Sequence, residues 1–145
     1  MVQASQSVLK FFEAYETAIR SQDLSIIETL YGETFLFGGP QGTQAVKRDD
    51  FLKVLPRRSG FFKAIGLSAT TLQSIDETRL DERYLLVKVI WLMHFEKDGN
   101  PPIIDPSAAS YILVRDGDAL RIVFQLDHQD LAQRAQELGL LPAKS

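Results

Sequence analysis

From Ser7 the apolar residues Val8, Leu9, Phe11, Phe12, Tyr15, Ala18 and Ile19 return at intervals of three and four, which draws one stripe along an amphipathic helix. Ser21-Gln22-Asp23 breaks the stripe, and DLSIIETLYG predicts a second, shorter helix. Asp23 is placed to cap it, Leu24, Ile27, Leu30 and Tyr31 form its apolar face, and Gly32 is expected to stop it. TFLFGG alternates as a strand and runs into Gly38-Gly39-Pro40-Gln41-Gly42, a turn cluster. KRDDFLKVLPRRSGFFKAIG resumes helical spacing, with Asp49 or Asp50 near its start and with Pro56 and Gly60 expected to kink or divide it.

After Gly66 the texture becomes β. LSATTLQSIDETRLD is rich in Thr and Ser with partial alternation, and ERYLLVKVIWLMHFEKDG is a long β-branched and aromatic run ended by Asp98-Gly99-Asn100. SAASYILVRDGD and ALRIVFQLD predict two more strands, joined at Asp116-Gly117-Asp118 in a hairpin turn. The intervening NPPIIDP reads as a rim loop, with Ile103 and Ile104 exposed. HQDLAQRAQELGLLP is expected to be a helix with Leu131, Ala135 and Leu138 on one side and with Gly139 and Pro142 as stop signals. Helices first and a meander afterwards indicate an α+β fold. In it a cone-shaped, curved antiparallel sheet buries one face against three N-terminal helices, and a short C-terminal helix follows.

Composition narrows the function classes. A chain of 145 residues, 45% hydrophobic and 24% charged, suits a single domain over residues 1–145 with a sizeable core. Its formal charge of -3 lacks the basic excess that phosphate backbones demand, so no nucleic-acid partner is expected. The absence of cysteine excludes disulfides and thiolate metal sites. No apolar run approaches the length of a membrane span, and MVQASQSVLKFF lacks the pattern of a signal peptide, so a cytoplasmic protein with no membrane partner is expected.

The order and texture of VLKFFEAYETAIRSQDLSIIETLYGETFLF, then a helix, then strands ending in YILVRDGDALRIVFQLD, resemble the nuclear transport factor 2-like superfamily over roughly residues 5–130. That superfamily includes ketosteroid isomerases, scytalone dehydratases, SnoaL-like cyclases and many domains without known activity, so the resemblance speaks for fold more than for function. It implies a homodimer through the convex face of the sheet. Strand parity agrees with a partner surface there. Val87, Val89, Trp91, Met93 and Phe95 share one wholly apolar side, which belongs under the helices, and Lys88, Ile90, Leu92, His94 and Glu96 share the other, apolar only in its middle.

A cone of this kind leaves a cavity, and Tyr15, Phe35, Phe37, Trp91, Phe95 and Tyr111 are the candidates to line it, with tyrosine hydroxyls to orient a small hydrophobic molecule. Ketosteroid isomerase chemistry needs a helix-borne Tyr, a carboxylate base after the first strand and a protonated Asp opposite the Tyr. Aligning the polar kink RSQDL puts Tyr15 at the first of these, but Gly39 and Ala109 at the other two, so that activity is not expected. A SnoaL-like cyclase, isomerase or dehydratase would instead need an inward-facing acid, for which Asp127 is the weak candidate and Asp105 a further possibility. A dimerising interaction domain without catalysis is the other alternative. With two histidines, no His-x-x-x-His and no Gly-x-Ser-x-Gly, neither metal, cofactor nor nucleophile elbow is expected.

QLDHQD concentrates the question. Alternation along the last strand puts Leu120, Ile122, Phe124 and Leu126 inward and Arg121, Val123, Gln125 and Asp127 outward. On that parity Asp127 is expected to cap the final helix rather than face the cavity.

Overall fold

The computed structural model describes residues 2–141. Its elements are β1 (Val2–Gln3), α1 (Gln6–Ser21), α2 (Leu24–Leu30), β2 (Tyr31–Gly39), β3 (Gly42–Lys47), α3 (Arg48–Ala64), β4 (Leu67–Arg79), β5 (Tyr84–Phe95), β6 (Ile103–Asp116), β7 (Ala119–Asp127) and α4 (Leu131–Glu137). The strands form one curved sheet in the order β1-β4-β5-β6-β7-β2-β3. The β4-β5-β6-β7 meander is antiparallel, whereas β1 joins β4, and β2 joins β7, in parallel.

The stripe on α1 does what its spacing implies. Val8, Phe11, Phe12, Tyr15 and Ala18 are buried against the sheet. Phe12, at 0% exposure, sits between Tyr111 (5.0 Å between ring centroids) and Trp91 (6.4 Å). Burial of one such ring contributes about 2–3 kcal/mol. Gln22 ends α1 in the left-handed region (φ 55°), and Asp23 caps α2 by accepting from the backbone N–H groups of Ser25 (3.1 Å) and Ile26 (3.3 Å). Bonding to Ser25 and Ile26 holds the Asp23 carboxyl below its ordinary value.

On β5 the expected parity holds, with Val87, Val89, Trp91, Met93 and Phe95 all buried on the helix-covered face. Phe95 and Met93 belong to a second core cluster with Ile65, Ala135 and Leu140, where α4 closes one end of the sheet. Asp105, 5% exposed, receives two hydrogen bonds from Arg134 (2.9 and 2.6 Å) and so ties α4 to β6. Asp105 is thereby a structural anchor for α4.

Several boundaries differ from the expectations, each for a tertiary reason. α2 stops at Leu30 rather than Gly32, because Tyr31 and Gly32 are drawn into β2 beside β7. The Gly38–Gly42 cluster is a tight hairpin whose second arm, β3, had no sequence signal: its side chains are almost all exposed. Pro56 lies inside α3 without dividing it, on an exposed side where water can meet the freed carbonyl. Half of the supposed rim loop, Ile103 to Pro106, is strand, paired with Phe95 to Leu92. The final helix begins at Leu131, and its cap is Asp130, which accepts from the Gln133 N–H at 3.2 Å; Asp127 does not cap it. Pro142 lies outside the described residues.

Candidate functional site

The decisive local event lies in β7. Leu113 faces Ile122 across the β6–β7 pair, yet Ile112 faces Phe124, so Val123 is an extra residue on β7. That bulge reverses the side-chain parity. Before it, Leu120 and Ile122 point into the core; beyond it, Gln125 and Asp127 do, opposite the inward-facing Tyr111 and Ala109. Phe124 and Leu126, expected to face inward, lie on the convex side with their partners Ile112 and Ser110.

Gln125 and Asp127 therefore enter a cleft of about 500 Å³ between α1, α3 and the sheet. Tyr15 on α1, Tyr31 at the start of β2, Trp91 on β5 and Tyr111 on β6 supply its aromatic wall. Leu55 and Phe62 of α3 and Met93 of β5 add apolar surface. The polar atoms of this wall form a directed chain. Tyr31 donates its only hydroxyl proton to Gln125 Oε1 (2.6 Å), so the 3.2 Å contact between the Tyr15 and Tyr31 hydroxyls is Tyr15 donating. Gln125 Nε2 donates onward to Asp127 Oδ1 (3.2 Å), and Trp91 Nε1 donates to the Tyr111 hydroxyl (3.2 Å).

Burial pushes the hydroxyls of Tyr31 and Tyr111 well above their ordinary value and raises that of Tyr15, so all three are protonated donors at neutral pH. Burial likewise raises the Asp127 carboxyl, against the opposing effects of the Gln125 hydrogen bond and the positive charges of Arg58 and His128. His128 itself turns away: its Nε2 lies 2.8 Å from Ser110 Oγ, on the convex side. The two neighbours in QLDHQD thus point to opposite faces of the sheet.

The six aromatic candidates separate. Tyr15, Trp91 and Tyr111 line the cleft. Phe37 lines an adjoining hollow of about 410 Å³ beside the Gly39–Gly42 turn. Phe35 and Phe95, expected at the cavity, are instead packed in the core at 2% and 1% exposure, Phe35 against Tyr31 and Phe51 and Phe95 in the second cluster. Tyr31, Gln125 and Arg58 are cleft residues that sequence reasoning missed. One signal did exist: Ile122-Val123-Phe124 is an uninterrupted apolar triplet in an otherwise alternating strand, the mark of a bulge. Asp127 lies directly across from Ala109 in register, and both line the cleft, so an acid reaches this region from the last strand.

Among the described residues no cluster of three or more His, Cys, Asp or Glu side chains could hold a metal ion, and no helix is long and apolar enough to cross a membrane. No curated protein matches the sequence. The structure is similar to an NTF2-like protein with a cystatin-like fold from Novosphingobium aromaticivorans (TM-score 0.70, 15% identity, 95% of this chain and 88% of that one). It is also similar to an NTF2-like protein of unknown function from Shewanella oneidensis MR-1 (0.68, 13%, 85% and 97%). A third similar structure, from Rhodospirillum rubrum, is an NTF2-like protein of unknown function in nutrient uptake (0.63, 21%, 85% and 98%). At these identities the likenesses speak to the fold alone, and it is the cystatin-like α+β fold derived above. The family model described as NTF2-like protein (DUF6841) matches residues 3–130, from β1 through the β7 strand that carries Gln125 and Asp127, and the chain belongs to that family.

Proposed function

We propose that the chain binds a small, mainly apolar molecule in the cleft between α1, α3 and the sheet. The observation that carries this reading is the lining: aromatic and aliphatic walls around a few convergent polar groups, Tyr15, Tyr31, Gln125 and Asp127, whose hydrogen bonds run in one direction toward the strand end. Apolar surface supplies the affinity and the polar edge orients a hydroxyl or carbonyl of the ligand. Trp91 is the one tryptophan and lies in the lining, so it reports occupancy directly. Titration with 4-cyclohexylphenol, followed by Trp91 fluorescence and calorimetry, is expected to give a saturable change. An unresponsive Trp91 with no heat of binding rejects the reading.

A second reading, a SnoaL-like acid–base enzyme, is favoured by one observation, the inward turn of Asp127 after the Val123 bulge. A carboxyl raised by burial holds its proton more readily than a free one and is better suited to passing it to and from a bound molecule. It requires turnover whose pH dependence vanishes in Asp127→Asn. We further propose homodimerisation through the convex face, where Ile104 (60% exposed) and Leu36 (42%) accompany the half-buried Leu92 and Ile90. Light scattering of the wild type and of Leu92→Glu tests it: a monomeric wild type rejects it.

A further inference from the structure

One cation in the site is left without an obvious function. Arg58, on α3, lines both the cleft and the adjoining hollow, and its guanidinium carbon lies 5.8 Å from the centre of the Phe37 ring and 5.6 Å from that of Phe62. It is half-buried, and among the described residues it has no carboxylate oxygen within 4.0 Å. Its contrast with Arg134 is plain, since that side chain grips Asp105 with two hydrogen bonds. Aromatic faces engage the face of a guanidinium and leave its in-plane N–H donors available, and those donors match a planar carboxylate.

The surroundings favour an anion. The cleft lining contains Arg20, Arg58 and Lys63 against the single acid Asp127, on a chain whose net charge is -3. Arg20 is already engaged by Glu16 at 3.7 Å, and Lys63 lies at the exposed rim, which leaves Arg58 as the inner cation. The positive charge of Arg58 is felt by Tyr15, Tyr31 and Asp127, so its field reaches the polar chain. In the adjoining hollow the other acid, Asp130, is occupied by the Gln133 N–H and by the Gln41 amide. One inner guanidinium beside one carboxyl suits a monoanion; a phosphate dianion would call for more donors and more positive charge.

We infer that the cleft takes an apolar carboxylic acid, whose carboxylate is gripped by Arg58 while its hydrocarbon body lies against Trp91 and Phe62. This rests on the proposed binding function and adds the ligand's charge and the residue that selects it. The test compares 4-phenylbutanoate with the neutral 4-phenylbutanamide, by Trp91 fluorescence and calorimetry at neutral pH. The acid is expected to bind about tenfold or more tighter than the amide, as for a charge-assisted hydrogen-bonded pair. Arg58→Met, which keeps the length and apolar stem, is expected to erase the roughly tenfold preference for the acid over the amide. If circular dichroism shows that Arg58→Met does not fold, Arg58→Lys replaces it, with the acid-over-amide preference expected to fall about threefold or more because the planar fork is gone. Equal affinities for acid and amide, or a preference that survives the substitution, overturn the inference while the binding function stands. No binding by either ligand, or by 4-cyclohexylphenol, overturns both.

Discussion

Replacing Tyr31 by Phe probes the direction of the polar chain and its weight in the fold. The substitution keeps the ring, which is 1% exposed and packed at 4.7 Å from Phe35 and 5.0 Å from Phe51 between centroids, so it removes little more than the hydroxyl. Two partners are stranded. Gln125 Oε1 loses a donor at 2.6 Å, and the Tyr15 hydroxyl loses its acceptor at 3.2 Å. Each unsatisfied buried group costs about 1–3 kcal/mol, against which the mutant no longer desolvates a hydroxyl of its own. All three groups border the cleft, where water can replace part of the loss, so the net destabilisation is about 2 kcal/mol. For 145 residues that is a fall in Tm of about 6–8 °C. Tyr15→Phe removes only a donor to Tyr31, which still has its bond to Gln125, and is expected to cost about 1 kcal/mol or less. Urea denaturation of the two variants, with Gln125→Leu completing a double-mutant cycle on Tyr31, gives the comparison. A larger loss for Tyr15→Phe than for Tyr31→Phe, or a coupling between Tyr31 and Gln125 below about 0.5 kcal/mol, refutes the directed chain.

Three further outcomes are expected. Gly66→Ala should lower stability by about 2–4 kcal/mol in denaturant titrations, because Gly66 has φ +80° and a Cβ there would stand 2.8 Å from the Glu96 carbonyl oxygen. Asp127→Asn should raise Tm, and the gain should grow as pH rises above the ordinary carboxylate range: a carboxyl raised by burial holds its proton more tightly in the folded state, so the wild type loses stability as pH rises between the unfolded and folded pKa. A gain that is flat or shrinks with pH contradicts the burial of Asp127. Ala109→Leu places a larger side chain on the cleft floor, beside Tyr111 and Asp127, and should abolish the Trp91 response to 4-cyclohexylphenol while lowering stability by only about 1–3 kcal/mol through overpacking. Unchanged binding in that variant would place the ligand outside the cleft.

Near neighbours along the chain were enough to fix part of this architecture. The three-and-four spacing from Val8 to Ala18 is the geometry of a helix face, and Val87 to Phe95 alternate because a strand sends successive side chains to opposite sides. The Asp23 cap and the turn at Gly117 (φ 62°) are likewise short-range chemistry. Tertiary structure decided the rest. β3 is a strand only because β2 is there to pair with it, and its exposed Thr43, Gln44 and Ala45 carry no burial pattern. Tyr31 could complete a helix face or begin a strand, and pairing with Ile122 settles which. Asp127 could cap α4 or enter the cleft. The choice was made at Val123, where one unpaired residue in the β6–β7 ladder reverses every side chain after it. Alternation along a strand is preserved only while the partner strand keeps step, and the register of that partner is a property of the assembled sheet.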